Sequence, residues 1–157
     1  MKRIKGFTLI ELLVVIAIIG LLSSLAVVSL GDIREKARDT KRLSDMDALQ
    51  TSLQLVNNEY GGFGADLGCP NEAQDYGGAF VHQCVGGNLG EYLTTVANMK
   101  DPLGVASCQS DCTKPCDYTI RGINDDEFAV YFYLETGAGQ FKEPGCYFLT
   151  DKGIIKK

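Results

Sequence analysis

From Leu12 to Leu30 the chain has no charged residue and no proline. This apolar run is bounded on its N-terminal side by one carboxylate, Glu11, and by a hexapeptide, Met1 to Gly6, that carries Lys2, Arg3 and Lys5 and no acid. As a helix, Phe7 to Leu30 reaches roughly 36 Å at 1.5 Å per residue, enough to cross a hydrocarbon core of about 30 Å. Beyond it the pattern changes. Leu43, Met46, Leu49, Leu53 and Val56 recur at three- and four-residue steps, an apolar stripe on a second helical stretch that runs to about Asn57. Between the two, Asp32, Arg34, Glu35, Lys36, Arg38, Asp39, Lys41 and Arg42 mix both signs around the helix and read as a solvated surface. Asp32–Lys36 and Lys41–Asp45 have i,i+4 spacing. No glycine or proline interrupts Asp32 to Tyr60, so one continuous helix is predicted.

The remainder reads differently. Nine glycines between Gly61 and Gly90 predict a long irregular connection. Asn88 to Asn98 reads as a short helix and Asp101-Pro102-Leu103-Gly104 as a turn. Three strands are predicted, over 117–121, 127–135 and 146–150. In the second, Phe128, Val130, Phe132 and Leu134 alternate with Ala129, Tyr131 and Tyr133, the period of a half-buried strand. Turn-rich linkers between them favour an antiparallel meander. The helical stripe and one face of this sheet can bury each other, which makes the fold class α+β, a long N-terminal helix packed on a small antiparallel sheet.

Charge narrows the function classes. The whole chain has net charge −5, and the stretch after Val56 holds seven basic and 14 acidic residues. An acidic surface argues against general nucleic-acid binding. Glu11 and the length of the apolar run argue against an ordinary cleaved secretory signal. The basic hexapeptide places the N-terminus in the cytoplasm and the rest outside. Six cysteines, Cys69, Cys84, Cys108, Cys112, Cys116 and Cys146, then point to disulfides on the oxidising side. Cys69–Cys84 is the favoured local pair, and Cys146 is expected to join Cys108 or Cys112. A zinc site built from the last four is the alternative. His82 is the single histidine, no Ser-His-Asp or Cys-His set is apparent, and neither an enzyme nor a cofactor is expected.

A carboxylate at membrane depth is costly and is normally paired. The nearest source of positive charge is an amine at Phe7, created if the chain is cut after Gly6. Lys5-Gly6-Phe7-Thr8-Leu9-Ile10-Glu11, followed by Leu12 to Gly20, resembles the class III leader and N-terminal helix of type IV pilins and type II secretion pseudopilins. The resemblance is close from Lys5 to about Leu30 and looser to about Val56. It implies that a membrane prepilin peptidase cuts after Gly6 and N-methylates Phe7, and that Glu11 is the assembly glutamate. It further implies a leader over 1–6, a membrane and filament-core helix over 7–30, an amphipathic stem over 31–57 and an extracytoplasmic head over 58–157. The implied partners are the prepilin peptidase, identical or related subunits in a helical filament, an inner-membrane assembly platform and membrane lipid.

On this reading the subunit is a single-pass protein of the inner membrane, later part of an extracellular or periplasmic filament. The mixed charges of the stem can then also meet neighbouring subunits. A type II secretion pseudopilin or competence pilin is the alternative, and a membrane-anchored enzyme or binding module a remote one. Asp101 to Gly104 resembles a turn of major pseudopilins with Leu103 in place of an aromatic residue. Pseudopilins of that kind bind calcium near the region of Asn124, Asp125 and Asp126. Here hairpin-turn chemistry explains the same three residues and Glu127.

Overall fold

A computed structural model describes residues 7–64, 66–70, 78–104, 106–108 and 112–157, without the side chains of 26–29. The expected leader, with Gly6, lies outside the described residues, as does Gly77 of the glycine-rich connection. The chain divides into two compact units, Met1–Glu35 and Lys36–Lys157.

One helix, α1, runs Leu9–Tyr60. In the second unit its stripe faces a core: Met46, Leu49, Leu53 and Val56 are fully buried, in one cluster with Tyr118, Ile120, Val130, Phe132, Leu134, Tyr147 and Leu149. The sheet has five strands in sequence order, all antiparallel: β1 Ala79–Phe80, β2 Thr119–Arg121, β3 Ala129–Leu134, β4 Gly145–Thr150 and β5 Gly153–Lys156. Val130 lies opposite both Ile120 and Leu149, and Phe132 opposite Tyr147, so one face is built from the buried members of each strand. β3 alternates as its period predicts, with Val130, Phe132 and Leu134 inward. On the other face Tyr131 stacks on Phe148 with ring centroids 5.7 Å apart, and the Arg121 guanidinium lies 5.5 Å from the Tyr131 ring centre. The architecture is α+β, as the patterns predict.

Three details depart from the sequence reading. β1 and β5 add two short strands to the predicted three. The stretch expected as one helix over 88–98 is a short helix α2, Asn88–Tyr92, and a separate 3-10 turn, Val96–Asn98, broken at Leu93, whose N–H closes on the Leu89 carbonyl. The third departure concerns the stem charges. Asp39 and Arg42 are fully buried, so the solvated-surface reading fails for both. The guanidinium of Arg42 donates to Asp39 Oδ1 at 2.7 Å, to Asp101 at 2.5 and 3.0 Å and to Glu135 Oε1 at 2.6 Å. Arg38 grips Glu135 with two further bonds of 2.7 and 2.6 Å. Asp39 also accepts the backbone N–H groups of Glu135, Thr136 and Gly137 at 2.8–2.9 Å. Burying these charges is tolerable because each is paired and hydrogen-bonded. The cluster ties the stem to the end of β3 and to the Asp101 turn.

The electrostatics follow from this packing. Burial alone raises Asp39, but the three amides and Arg42 outweigh it and hold the carboxyl below its ordinary value. Arg38 and Arg42 pull Glu135 down against a smaller opposing effect of burial. Lys41 pairs with Asp45 at 2.5 Å, and Asp45 also accepts the Tyr118 hydroxyl at 3.0 Å. Asp32 and Lys36 fall on opposite sides of the division between the two units.

The 101–104 turn is held by its own aspartate, whose Oδ1 accepts Leu103 N–H at 2.8 Å and Gly104 N–H at 2.6 Å. Gly104 lies against the backbone of the Cys116–Asp117 segment, where a Cβ would stand 2.2 Å from the Cys116 carbonyl carbon. Only glycine fits this approach.

Candidate assembly site

α1 begins at a capping box. Thr8 is the residue before the first helical turn and Glu11 is the third residue of that turn, the spacing at which the two satisfy each other's open groups. Glu11 Oε2 accepts Thr8 N–H at 2.8 Å and the Thr8 hydroxyl at 2.6 Å. In return Glu11 N–H donates to Thr8 Oγ1 at 3.3 Å. Among the described residues no hydrogen bond reaches Glu11 Oε1. A carboxylate in the first turn also sits at the positive end of the helix macrodipole.

Thr8 is thus a partner of Glu11 at the same helix start, in addition to the Phe7 amine expected from the sequence. The Thr-x-x-Glu spacing was the available signal. Phe7 is adjacent to this box and 81% exposed. Every side chain from Phe7 to Leu25 is exposed, including the whole apolar run up to that point. This is the one helix among the described residues long and apolar enough to cross a membrane. An apolar surface of this extent has no stable place in water and calls for lipid or other protein.

The cysteines are paired Cys69–Cys84, Cys108–Cys116 and Cys112–Cys146. The first is the local pair favoured from the sequence, and Cys146 takes Cys112. The sulfurs that a zinc ion would need are engaged in these bridges. At the 124–127 turn, Asn124 Oδ1 accepts the N–H groups of Asp126 and Glu127 at 2.9 and 3.0 Å, and Asn124 N–H closes on the Glu127 carbonyl at 3.0 Å. Asn124 Oδ1 therefore serves as the acceptor that closes this turn. His82 stands 3.4 Å from the Asp117 carboxylate, in a half-buried position beside β1.

Comparison with known proteins bears on the N-terminal part of the chain. Residues 1–27 match the family model of the prokaryotic N-terminal methylation motif. The type II secretion system core protein G of Aeromonas hydrophila is 47% identical over 62 residues, 38% of this chain and 43% of that protein. A fimbrial protein of Pseudomonas aeruginosa is 43% identical over 54 residues, 34% of this chain and 35% of its own length. The type IV wide pilus major component PilA4 of Thermus thermophilus is 44% identical over 63 residues, 38% of this chain and 48% of its own length. The chain thus spans less than half the length of each of these three relatives. No solved structure matches it significantly. Residues 1–27 thus match the prokaryotic N-terminal methylation motif, and the first third of the chain is similar to a type II secretion core protein, a fimbrial protein and a type IV pilus component.

Proposed function

We propose that this chain is a structural subunit of an extracytoplasmic type IV pilus-like filament. A prepilin peptidase removes residues 1–6 by cutting after Gly6, and Phe7 becomes the N-methylated first residue. Residues 7–30 anchor the subunit in the inner membrane and later form the filament core. Residues 31–57 are the stem, and 58–157 the head outside the cytoplasm. The observation that carries this reading is Glu11, a carboxylate at the start of an apolar helical run exposed on every side from Phe7 to Leu25, with no hydrogen bond to Oε1 among the described residues. Cutting after Gly6 creates a cationic amine one residue from Thr8. Attraction between that amine and Glu11 strengthens as water is excluded, so it can recruit a subunit and set its axial register. Partners on this account are the peptidase, other subunits of the same or related kind, the inner-membrane assembly platform and lipid. The role is structural and needs no cofactor.

A pseudopilin of type II secretion is the second reading. It is supported by the similarity to a protein named as a core component of that system and by the Asp101–Gly104 turn. An adjacent gene for a retraction ATPase favours the pilus, and an outer-membrane secretin with several pseudopilins favours secretion. Processing is tested by intact-mass analysis of protein from native membranes or filaments. The expected chain begins at Phe7 and carries one added methyl group, and Gly6→Leu blocks the cut. Recovery of Met1 on assembled protein overturns the proposal.

A further inference from the structure

Two of the three disulfides share one cluster of sulfur. The Sγ atoms of Cys108, Cys112 and Cys116 all lie within 4.8 Å of one another, although Cys108 is bonded to Cys116 and Cys112 to Cys146. Nothing in the covalent framework requires this. The Cys108–Cys116 bridge closes a separation of eight residues and the Cys112–Cys146 bridge one of 34. Cys112 lies midway between the two partners of the shorter bridge in sequence and within reach of both in space.

Exposure is unequal. Cys108 and Cys116 are buried, which shields their bridge from a dissolved thiol, whereas Cys112 is only half-buried. A thiol at Cys112 therefore has access to a disulfide that external thiols lack. Disulfides exchange by attack of a thiolate on a disulfide sulfur, and holding the two groups together makes that step intramolecular.

We propose that Cys108, Cys112 and Cys116 form a thiol–disulfide exchange site, so that the head has interchangeable covalent pairings. A dithiol reductant first opens Cys112–Cys146. The reductant is oxidised to its own disulfide, and Cys112 and Cys146 become thiols. The Cys112 thiolate then attacks Sγ of Cys108 or Cys116. Attack at Cys108 forms Cys108–Cys112, breaks Cys108–Cys116 and releases Cys116 as a thiolate that takes a proton from water. Attack at Cys116 releases Cys108 in the same way. This second step has no net oxidation or reduction. It exchanges one short bridge for another and consumes the Cys112 thiol, so that the tie between β4, which carries Cys146, and the Cys112 segment, opened in the first step, no longer has its partner thiol.

The test uses the full-length chain with Cys146→Ser, which leaves Cys112 unpaired beside an intact Cys108–Cys116 bridge. The protein is held near pH 8.5, about the pKa of an ordinary thiol, quenched with acid at intervals and labelled with a maleimide for peptide mapping. The label is expected to move from Cys112 to Cys108 or Cys116 with time, while Cys69 and Cys84 stay unlabelled. If Cys146→Ser does not fold, wild-type protein treated with limiting dithiothreitol gives the same readout, with label expected on Cys146 together with Cys108 or Cys116. Label confined to Cys112 in the variant, or to Cys112 and Cys146 in the wild type, overturns the proposal, as does label spreading equally to Cys69 and Cys84.

Discussion

Replacing Arg42 with methionine removes the centre of the buried charge cluster and keeps most of the side-chain volume. It leaves Asp39 and Asp101 without their cation, both of them buried, and leaves Glu135 with Arg38 alone. Removing one partner of a buried pair costs about 3–5 kcal/mol because the remaining charge is uncompensated. Asp39 is still held by three backbone amides, so the lower half of that range, about 3–4 kcal/mol, is expected. Lys41→Ala is the control. Its pair with Asp45 lies on the same helix, with the lysine side chain 50% exposed, and such pairs are worth about 0.3–0.5 kcal/mol. Urea unfolding of the protein in a mild detergent, followed by the near-ultraviolet circular dichroism of its tyrosines, measures both. A loss for Arg42→Met below about 1 kcal/mol, or equal to that of Lys41→Ala, refutes the claim that this cluster fastens the stem to the head.

Acid is expected to weaken the same contact. Asp39 and Glu135 have folded pKa values below their ordinary ones. Their stabilisation is present above the unfolded carboxylate values, about 4, and is lost as pH falls through the lower folded values. Burial raises Asp117, which opposes that trend. Urea midpoints should therefore fall below about pH 4, and less steeply in Asp39→Asn; a flat profile in the wild type counts against the assignment. Gly104→Ala places a methyl group against the Cys116–Asp117 backbone and is expected to cost about 1–3 kcal/mol. Gly90→Ala, which meets nothing within 4 Å, should be near neutral, and equal midpoints for the two variants contradict the close-approach reading.

The elements that depend on long periodic patterns were legible in the sequence. The stripe from Leu43 to Val56 and the alternation of β3 both describe faces that must be buried; Met46, Leu49, Leu53 and Val56 are fully so, Leu43 partly, and β3 alternates as expected. The antiparallel order follows from the short linkers. β1 and β5 escaped notice because two and four residues are too short to show a period. The buried cluster was hidden for a different reason. Asp39 and Arg42 lie in a stretch with charges on every face, and local sequence does not reveal that Asp101 and Glu135 come from 59 and 93 residues away to meet Arg42. The Thr8–Glu11 box was readable from its spacing. Which of the two Glu11 oxygens Thr8 engages depends on geometry.

The central claim is that Glu11 is the charge through which subunits assemble. Glu11→Gln keeps the shape and the helix start and removes the charge. The decisive measurement is the yield of sheared filaments beside the yield of the same variant in the membrane fraction. The account predicts normal membrane insertion, normal cutting after Gly6 and few or no filaments. Filaments at the wild-type level from Glu11→Gln would contradict it.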